Sequence, residues 1–148
     1  MLIRPLQHSD REELVRMRQL LWPSSREDEV DDSLSLPISD GIIVVAERPQ
    51  AGLGGFAEIG LRRFAEGCDG SPVAYLEGIW TDRDARRSGL ASALVRRGEA
   101  WAISRGLSEF ASDCDAENSE SEAFHRAAGF EIVHRSLCFR RRLTPEST

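Results

Sequence analysis

Residues 77–91, Glu-Gly-Ile-Trp-Thr-Asp-Arg-Asp-Ala-Arg-Arg-Ser-Gly-Leu-Ala, join an apolar, strand-like run to a glycine-opened helix through a short polar turn. That junction restricts the chain more than any other segment. Arg86-x-x-Gly89-x-Ala91 puts small residues where backbone must approach something closely, and the first amides of a helix have no partner within it. Those amides, at the positive end of the helix dipole, favour an anion such as a phosphate. The segment lacks the glycine spacing of a dinucleotide-binding fingerprint and the Gly-Lys-Ser/Thr of a Walker loop, so both of those nucleotide sites are set aside.

The surrounding pattern predicts an alternation of strands and helices. Leu2 to Pro5 reads as a strand, and Ser9-x-x-Glu12 is a capping-box signal for a helix carrying Leu14, Met17 and Leu21 on one face. Trp22-Pro23 ends that helix, and residues 23–40 form a polar loop with room for a short acidic helix. Ile42 to Glu47 and Leu53 to Leu61 read as a hairpin around the Pro49 to Gly52 turn, and Val73 to Thr81 as the next strand. Gly89 to Arg105 carries Leu90, Leu94, Val95 and Trp101 at core spacing and ends at Gly106. Leu107 to Asp113 is a further strand, residues 118–128 a helix closed by Gly129, and Glu131 to Arg142 one or two last strands. This order predicts an α+β (mixed α/β) fold, with a mixed sheet and helices on both faces.

With 148 residues and no internal repeat or linker, the expectation is a single domain over residues 1–148, its tail 144–148 frayed. Cys68, Cys114 and Cys138 are odd in number and scattered, which predicts reduced thiols and no metal site. The longest apolar run, Gly41 to Ala46, is too short to cross a bilayer, and the first residues lack the apolar core of a signal peptide. A cytoplasmic protein without a membrane partner is expected. Net charge of −6 opposes binding to nucleic acid and favours cationic partners.

The Arg86-x-x-Gly89-x-Ala91 loop after a strand, followed by Asn118 and Gly129-Phe130, resembles the acetyl-CoA site of the GNAT superfamily of N-acetyltransferases. Further local matches resemble aminoglycoside 6'-N-acetyltransferases: Leu21-Trp22-Pro23, Gly55-Phe56-Ala57-Glu58, Gly67-Cys68-Asp69, Ser71-Pro72-Val73, Leu76-Glu77-Gly78-Ile79, Ala111-Ser112-Asp113, Glu117-Asn118 and His125. The resemblance spans roughly residues 3–142. It implies a GNAT-like fold whose mixed sheet is mostly antiparallel, acetyl-CoA as co-substrate, a cationic aminosugar as acceptor, and a homodimer. The backbone of Ile79, Trp80 and Thr81 would then meet the pantetheine arm, and the amides of Arg86, Arg87, Ser88, Gly89, Leu90 and Ala91 the pyrophosphate. Asn118 would lie near the pantetheine or the sulfur, or cap the helix that follows it.

Amide formation requires a neutral amine held close to the thioester carbonyl, with somewhere for developing charge to go. A cationic acceptor calls for carboxylates that bind its ammonium groups and help remove one proton. The resemblance places Glu77 and Asp113 in that role and Trp22 as a wall for the sugar. Phe64 falls where relatives often carry a tyrosine, so any contact from it would be apolar. His125 occupies the position of a tyrosine proposed in the superfamily to protonate the departing thiolate, and histidine titrates near neutrality. His134 stands where related enzymes can show an acidic residue in the substrate region. Cys114 adjoins Asp113 but has no recognisable base, so it is left out of the mechanism. Two other functions fit the same residues: acetylation of a polyamine or a protein lysine, and non-catalytic acetyl-CoA binding, which the missing tyrosine would suit.

Overall fold

The computed structural model describes residues 1–146. Along the chain run β1 (Leu2–Pro5), α1 (Arg11–Leu21), α2 (Glu27–Ser35), β2 (Gly41–Glu47), β3 (Leu53–Arg62), β4 (Val73–Thr81), α3 (Leu90–Ser104), β5 (Phe110–Ser112) and α4 (Ser119–Ala127). The strands form one sheet in sequence order, antiparallel from β1 through β4 and parallel between β4 and β5.

Alternation along β2 and β3 sends their side chains to two cores. On one face Ile42, Val44, Ala57 and Ile59 pack with Leu90, Leu94, Val95 and Trp101 of α3. On the other, Ile43, Val45 and Phe56 pack with Leu14 and Met17 of α1 and Val30 of α2. Leu14, Met17, Val30, Phe56 and Leu94 are fully buried, each worth roughly 1.5–3 kcal/mol of transfer free energy. The mixed sheet with helices on both faces is therefore as expected, and the acidic run of residues 27–32 forms the first part of α2.

Three local expectations are corrected. The cap before α1 is not built by Ser9 and Glu12. Asp10, in a 3-10 turn at His8–Asp10, accepts from the Gln7 amide at 2.8 Å, so the reciprocal pairing lies earlier in the chain. The strand expected over Leu107 to Asp113 is limited to Phe110–Ser112, because its only register on β4 covers Ala74 to Leu76. Residues 131–142 hold no strand among the described residues. A strand exists only as a pairing, and this segment pairs with no edge; it leaves Leu137 and Phe139 exposed. Of the tail expected to fray, residues 147 and 148 lie outside the described residues.

One irregularity shapes the centre of the sheet. Glu58 faces Gly78 and the next pair is Ile59 with Leu76, so Glu77 is an extra residue, a bulge in β4. Parallel pairing with β5 ends at Leu76 with Ser112. From the bulge onward, β4 has β3 on one side and, among the described residues, no strand on the other.

Candidate functional site

The open side of β4 begins at that bulge. The Asp82 amide donates to the Gly54 carbonyl across the ladder at 2.8 Å, so by alternation Trp80 also faces β3 while Ile79 and Thr81 turn their amides and carbonyls outward. The Thr81 carbonyl accepts from Arg86 Nε at 3.0 Å, which confirms that direction and folds the turn back onto the strand. Arg86 also lies 4.9 Å from the Trp80 ring centre. Trp80 itself packs into the α1-side core and donates its indole N–H to Asp82 at 3.0 Å, so, against expectation, neither its backbone, which faces β3, nor its side chain belongs to the open edge.

Asp82 anchors this end of β4. Arg16 and Arg48 both reach it, at 3.0 and 3.1 Å. Burial pushes its carboxyl up, but the hydrogen bonds from Arg16, Trp80 and Arg48 outweigh burial and hold it below its ordinary value. Beyond it, Arg87 takes φ 60° and Gly89 φ 79°, two left-handed residues that turn the chain sharply into α3. The Ser88 hydroxyl donates to the Ala85 carbonyl at 2.6 Å and tightens the turn. Gly89 is the N-cap of α3 and supplies no side-chain cap, so the first-turn amides of the helix face outward. Nothing lies within 4 Å of where a Cβ would stand on Gly89; the glycine is required by its backbone angle and it leaves the amides uncovered.

On the α1 face of the same strand lie the carboxylates. Glu77 accepts two hydrogen bonds from Arg62, at 2.9 and 2.7 Å, and its side chain lies over Gly60 of β3. Arg62 is stacked on Tyr75, its guanidinium carbon 3.5 Å from the ring centre. The Tyr75 hydroxyl donates to Asp113, just beyond β5. Burial, and then that acceptor, raise the Tyr75 phenol well above its ordinary value, so it remains a donor at all physiological pH. Trp22 closes this side: a Cβ on Gly78 would overlap its ring. Arg18 stacks 4.7 Å from that ring and pairs with Glu58, whose carboxyl is pushed up by burial despite Arg18.

Where β4 and β5 part, the Ser112 hydroxyl lies 3.2 Å from the Leu76 carbonyl and 2.8 Å from His125 Nε2. The other ring nitrogen, Nδ1, is 2.7 Å from the Ser121 carbonyl. Phe124 and Phe130 pack edge-on around the imidazole. Asn118 is the N-cap of α4, its side chain accepting from the Ser121 amide at 3.0 Å.

Glu77, Asp113 and Trp22 are thus assembled on one face of β4, the Arg86 to Ala91 turn at its far end, and His125 at the fork. Phe64 and His134 stand apart. Phe64 is 67% exposed in the loop after β3, and His134 lies 3.9 Å from Glu66, with no ion pair to Glu77 or Asp113 among the described residues. Sequence reading missed Arg62, Tyr75 and Ser112. Tyr75 had a signal, being the only tyrosine in the chain and set in an otherwise apolar strand two residues from Glu77. No cluster of metal-ligating side chains occurs among the described residues, and no helix there is long and apolar enough to cross a membrane.

Residues 11–130 match the family model described as acetyltransferase (GNAT) family. The chain is 39% identical over 147 residues to an aminoglycoside N(6')-acetyltransferase type 1 from Klebsiella aerogenes, covering 96% of this chain and 97% of that one. Among solved structures, the aminoglycoside 6'-N-acetyltransferase AAC(6')-IG from Acinetobacter haemolyticus is 30% identical with a TM-score of 0.85, over 97% of this chain and 100% of its own. AAC(6')-Iy, solved in complex with the bisubstrate analogue CoA-S-monomethyl-acetylneamine, is 31% identical with a TM-score of 0.86, over 96% of this chain and 98% of its own.

Proposed function

The chain belongs to the acetyltransferase (GNAT) family, and from that premise we propose that it transfers acetyl from acetyl-CoA to the 6'-amine of aminoglycosides, conferring resistance to them. The relatives named for this activity match nearly the whole chain. The observation that carries the reading is the divided use of β4. Its open edge beyond the bulge leads into an anion-favouring turn, while its α1 face carries an aromatic wall and carboxylates.

Acetyl-CoA fits the open side of β4. The outward groups of Ile79 and Thr81 match a pantetheine amide, and the uncovered amides at Gly89 to Ala91, with Arg86 and Arg87 beside them, match a pyrophosphate. When bound, it supplies the acyl group as a thioester. Asn118 caps α4 through its side-chain oxygen, which leaves its amide nitrogen free to donate to the pantetheine. These residues fix the carbonyl next to the bulge, where Glu77 begins the acceptor side.

Glu77 and Asp113 bind the acceptor's ammonium groups, and Glu77 takes the proton that frees the attacking amine. Tyr75 holds Asp113 in place. Trp22 forms the wall against which the sugar rests, while Phe64 and His134 stand apart from this group and take no assigned contact with the acceptor. His125, joined through Ser112 to the Leu76 carbonyl, returns a proton to the leaving sulfur.

The protein works in the cytoplasm, where acetyl-CoA is made, and its three free cysteines suit a reducing compartment. It works as a homodimer in which residues 131–142 find their partner strand on a second copy. Exposed Leu137 and Phe139 support this, as does an open cleft of about 310 Å³ lined by Val95, Ala102, Ile103, Leu107, Phe110 and Phe130. Light scattering of the full chain and of a chain ending at Phe130 tests it: dimer and monomer are expected, and a monomeric full chain would refute it.

The test of the activity is an acceptor screen with purified protein and acetyl-CoA, following CoA release with tobramycin, spermidine and a lysine peptide. Tobramycin is expected to give the highest kcat/KM. A higher value for spermidine or the peptide would reassign the substrate, and acetyl-CoA binding with no turnover would make the chain a non-catalytic binder.

A further inference from the structure

Both oxygens of Glu77 are already engaged by a cation of the protein itself. Arg62 Nε and a terminal nitrogen bind them at 2.9 and 2.7 Å, and the guanidinium is seated 3.5 Å above Tyr75, the residue that holds Asp113. Arg62 therefore stands between the two carboxylates assigned to the acceptor. That hydrogen bonding to Glu77 raises the basicity of the guanidinium still further, so its charge is permanent. Arg62 and Glu77 are both partly open to solvent, with side chains 43% and 32% exposed, so an incoming ligand can reach the pair.

We propose that Arg62 is a resident counter-cation of the acceptor site, a specificity-determining residue that an incoming ammonium must displace from Glu77. This rests on the aminoglycoside reading above and adds to it a reason for the substrate class. A bidentate guanidinium on a carboxylate is a better match than one ammonium, which offers a compact, strongly hydrated charge. A monoamine meets that competition alone. A polycation brings several ammonium groups to Glu77, Asp113 and the neighbouring carboxylates at once, and its effective concentration at Glu77 is raised by the contacts already made. Arg62 thus filters against single amines, including an isolated lysine side chain, and passes polyamino sugars. Its seat on the Tyr75 ring holds it close to Glu77, ready to return when product leaves.

The test compares the wild type with Arg62→Gln, Arg62→Lys and Arg63→Gln, using tobramycin and a monoamine sugar, methyl 6-amino-6-deoxyglucoside. Arg62→Gln is expected to lower the KM for tobramycin about threefold and to raise kcat/KM for the monoamine about tenfold, the size of one charge-assisted hydrogen bond. Arg62→Lys, which keeps charge without the fork, should fall between. Arg63→Gln removes the same charge next door and should leave both values within twofold. Equal gains in Arg62→Gln and Arg63→Gln would reduce the effect to general electrostatics and overturn the proposal, as would unchanged or weaker acceptor affinity in Arg62→Gln. Tobramycin binding by calorimetry to the same proteins reads the competition without turnover. A wild type that binds tobramycin but transfers nothing therefore counts against the proposed activity alone, and tighter binding by Arg62→Gln still supports the counter-cation.

Discussion

His125 Nε2 lies 2.8 Å from Ser112 Oγ, at the point where β4 and β5 separate. The proton count follows from the partners. Nδ1 faces the Ser121 carbonyl at 2.7 Å, closer than the Ser121 hydroxyl at 3.3 Å, and a carbonyl only accepts, so the hydrogen is assigned to Nδ1. With a neutral ring, Ser112 donates its one hydrogen to Nε2 and none to the Leu76 carbonyl. With a charged ring, Nε2 donates to Ser112, and Ser112 donates to Leu76. In the charged form the ring would hold a transferable proton beside the fork where the thioester would lie. His125→Phe, which preserves the packing with Phe124 and Phe130, is expected to lower kcat about 100-fold with the acetyl-CoA Kd unchanged. Ser112→Ala should cost less, about tenfold, since a water can bridge the gap. Steady-state kinetics with calorimetry checks both, and a kcat for His125→Phe near that of the wild type would remove the ring from the chemistry.

Glu77→Gln and Asp113→Asn separate acceptor from co-substrate. Each removes one charged hydrogen-bond acceptor, worth about 1.5–3 kcal/mol, so kcat/KM for tobramycin should fall at least tenfold. The acetyl-CoA Kd should stay within twofold, because the open edge and the Gly89 turn are untouched. Tyr75→Phe is expected to resemble Asp113→Asn in milder form, through loss of the hydroxyl that holds the carboxylate. A comparable weakening of acetyl-CoA binding in these variants would contradict the division of β4 into two half-sites.

Gly89→Val tests the turn. The surrounding space is open, so the cost comes from φ 79°, which a β-branched residue adopts at about 1–2 kcal/mol. Relaxing that strain re-aims the first amides of α3. A loss of acetyl-CoA affinity of about tenfold is expected, with a lowered Tm and with tobramycin binding retained. Unchanged acetyl-CoA affinity would mean that the turn does not hold the phosphates.

Acid should weaken the fold in a defined window. Hydrogen bonds from Arg4 hold Asp10 below its ordinary value against the opposing effect of burial, and Asp82 is held low by its three donors. A carboxyl lowered in the folded state stabilises fully above its unfolded value, 3.8 here, and that contribution disappears as pH falls through the lower folded value. The contribution of these two carboxylates should therefore be level between neutrality and about pH 5 and decline below pH 4. For Asp82 it is read as the difference between thermal melts of the wild type and Asp82→Asn, which removes the opposite contribution of the raised Glu58. Asp82→Asn should be less stable at neutral pH by about 1–2 kcal/mol, since Arg16 and Arg48 each lose one of two carboxylate partners, keeping Glu13 and Asp84, and should show a shallower acid decline. A variant as stable as the wild type at pH 7 would show the cluster to be dispensable.

Much of this architecture was legible in the sequence for local reasons. Trp22-Pro23, Gly106 and Gly129 punctuate the helices, and the apolar positions of α1 and α3 repeat at helical spacing, so their boundaries fell close to expectation. What escaped depends on contacts between distant residues. The bulge that aims Glu77 arises from pairing between β3 and β4, and the partnership of Arg62 with Glu77 joins positions 15 residues apart. The tyrosine that holds Asp113 lies 38 residues away. The strand expected in residues 131–142 pairs with no edge among the described residues, and a strand exists only as a pairing. Ser112 was quoted only as part of a motif, because a serine in a strand gives no local sign that it will meet a histidine from the next helix.

The central claim is that β4 presents a bound thioester to a 6'-amine beside Glu77. Neomycin and paromomycin differ at that position alone, an amine in the first and a hydroxyl in the second, so the pair tests it most directly. With acetyl-CoA and purified protein, CoA release is expected with neomycin and none above background with paromomycin. Equal release with both would put the transfer at another amine, and release with neither would contradict the account.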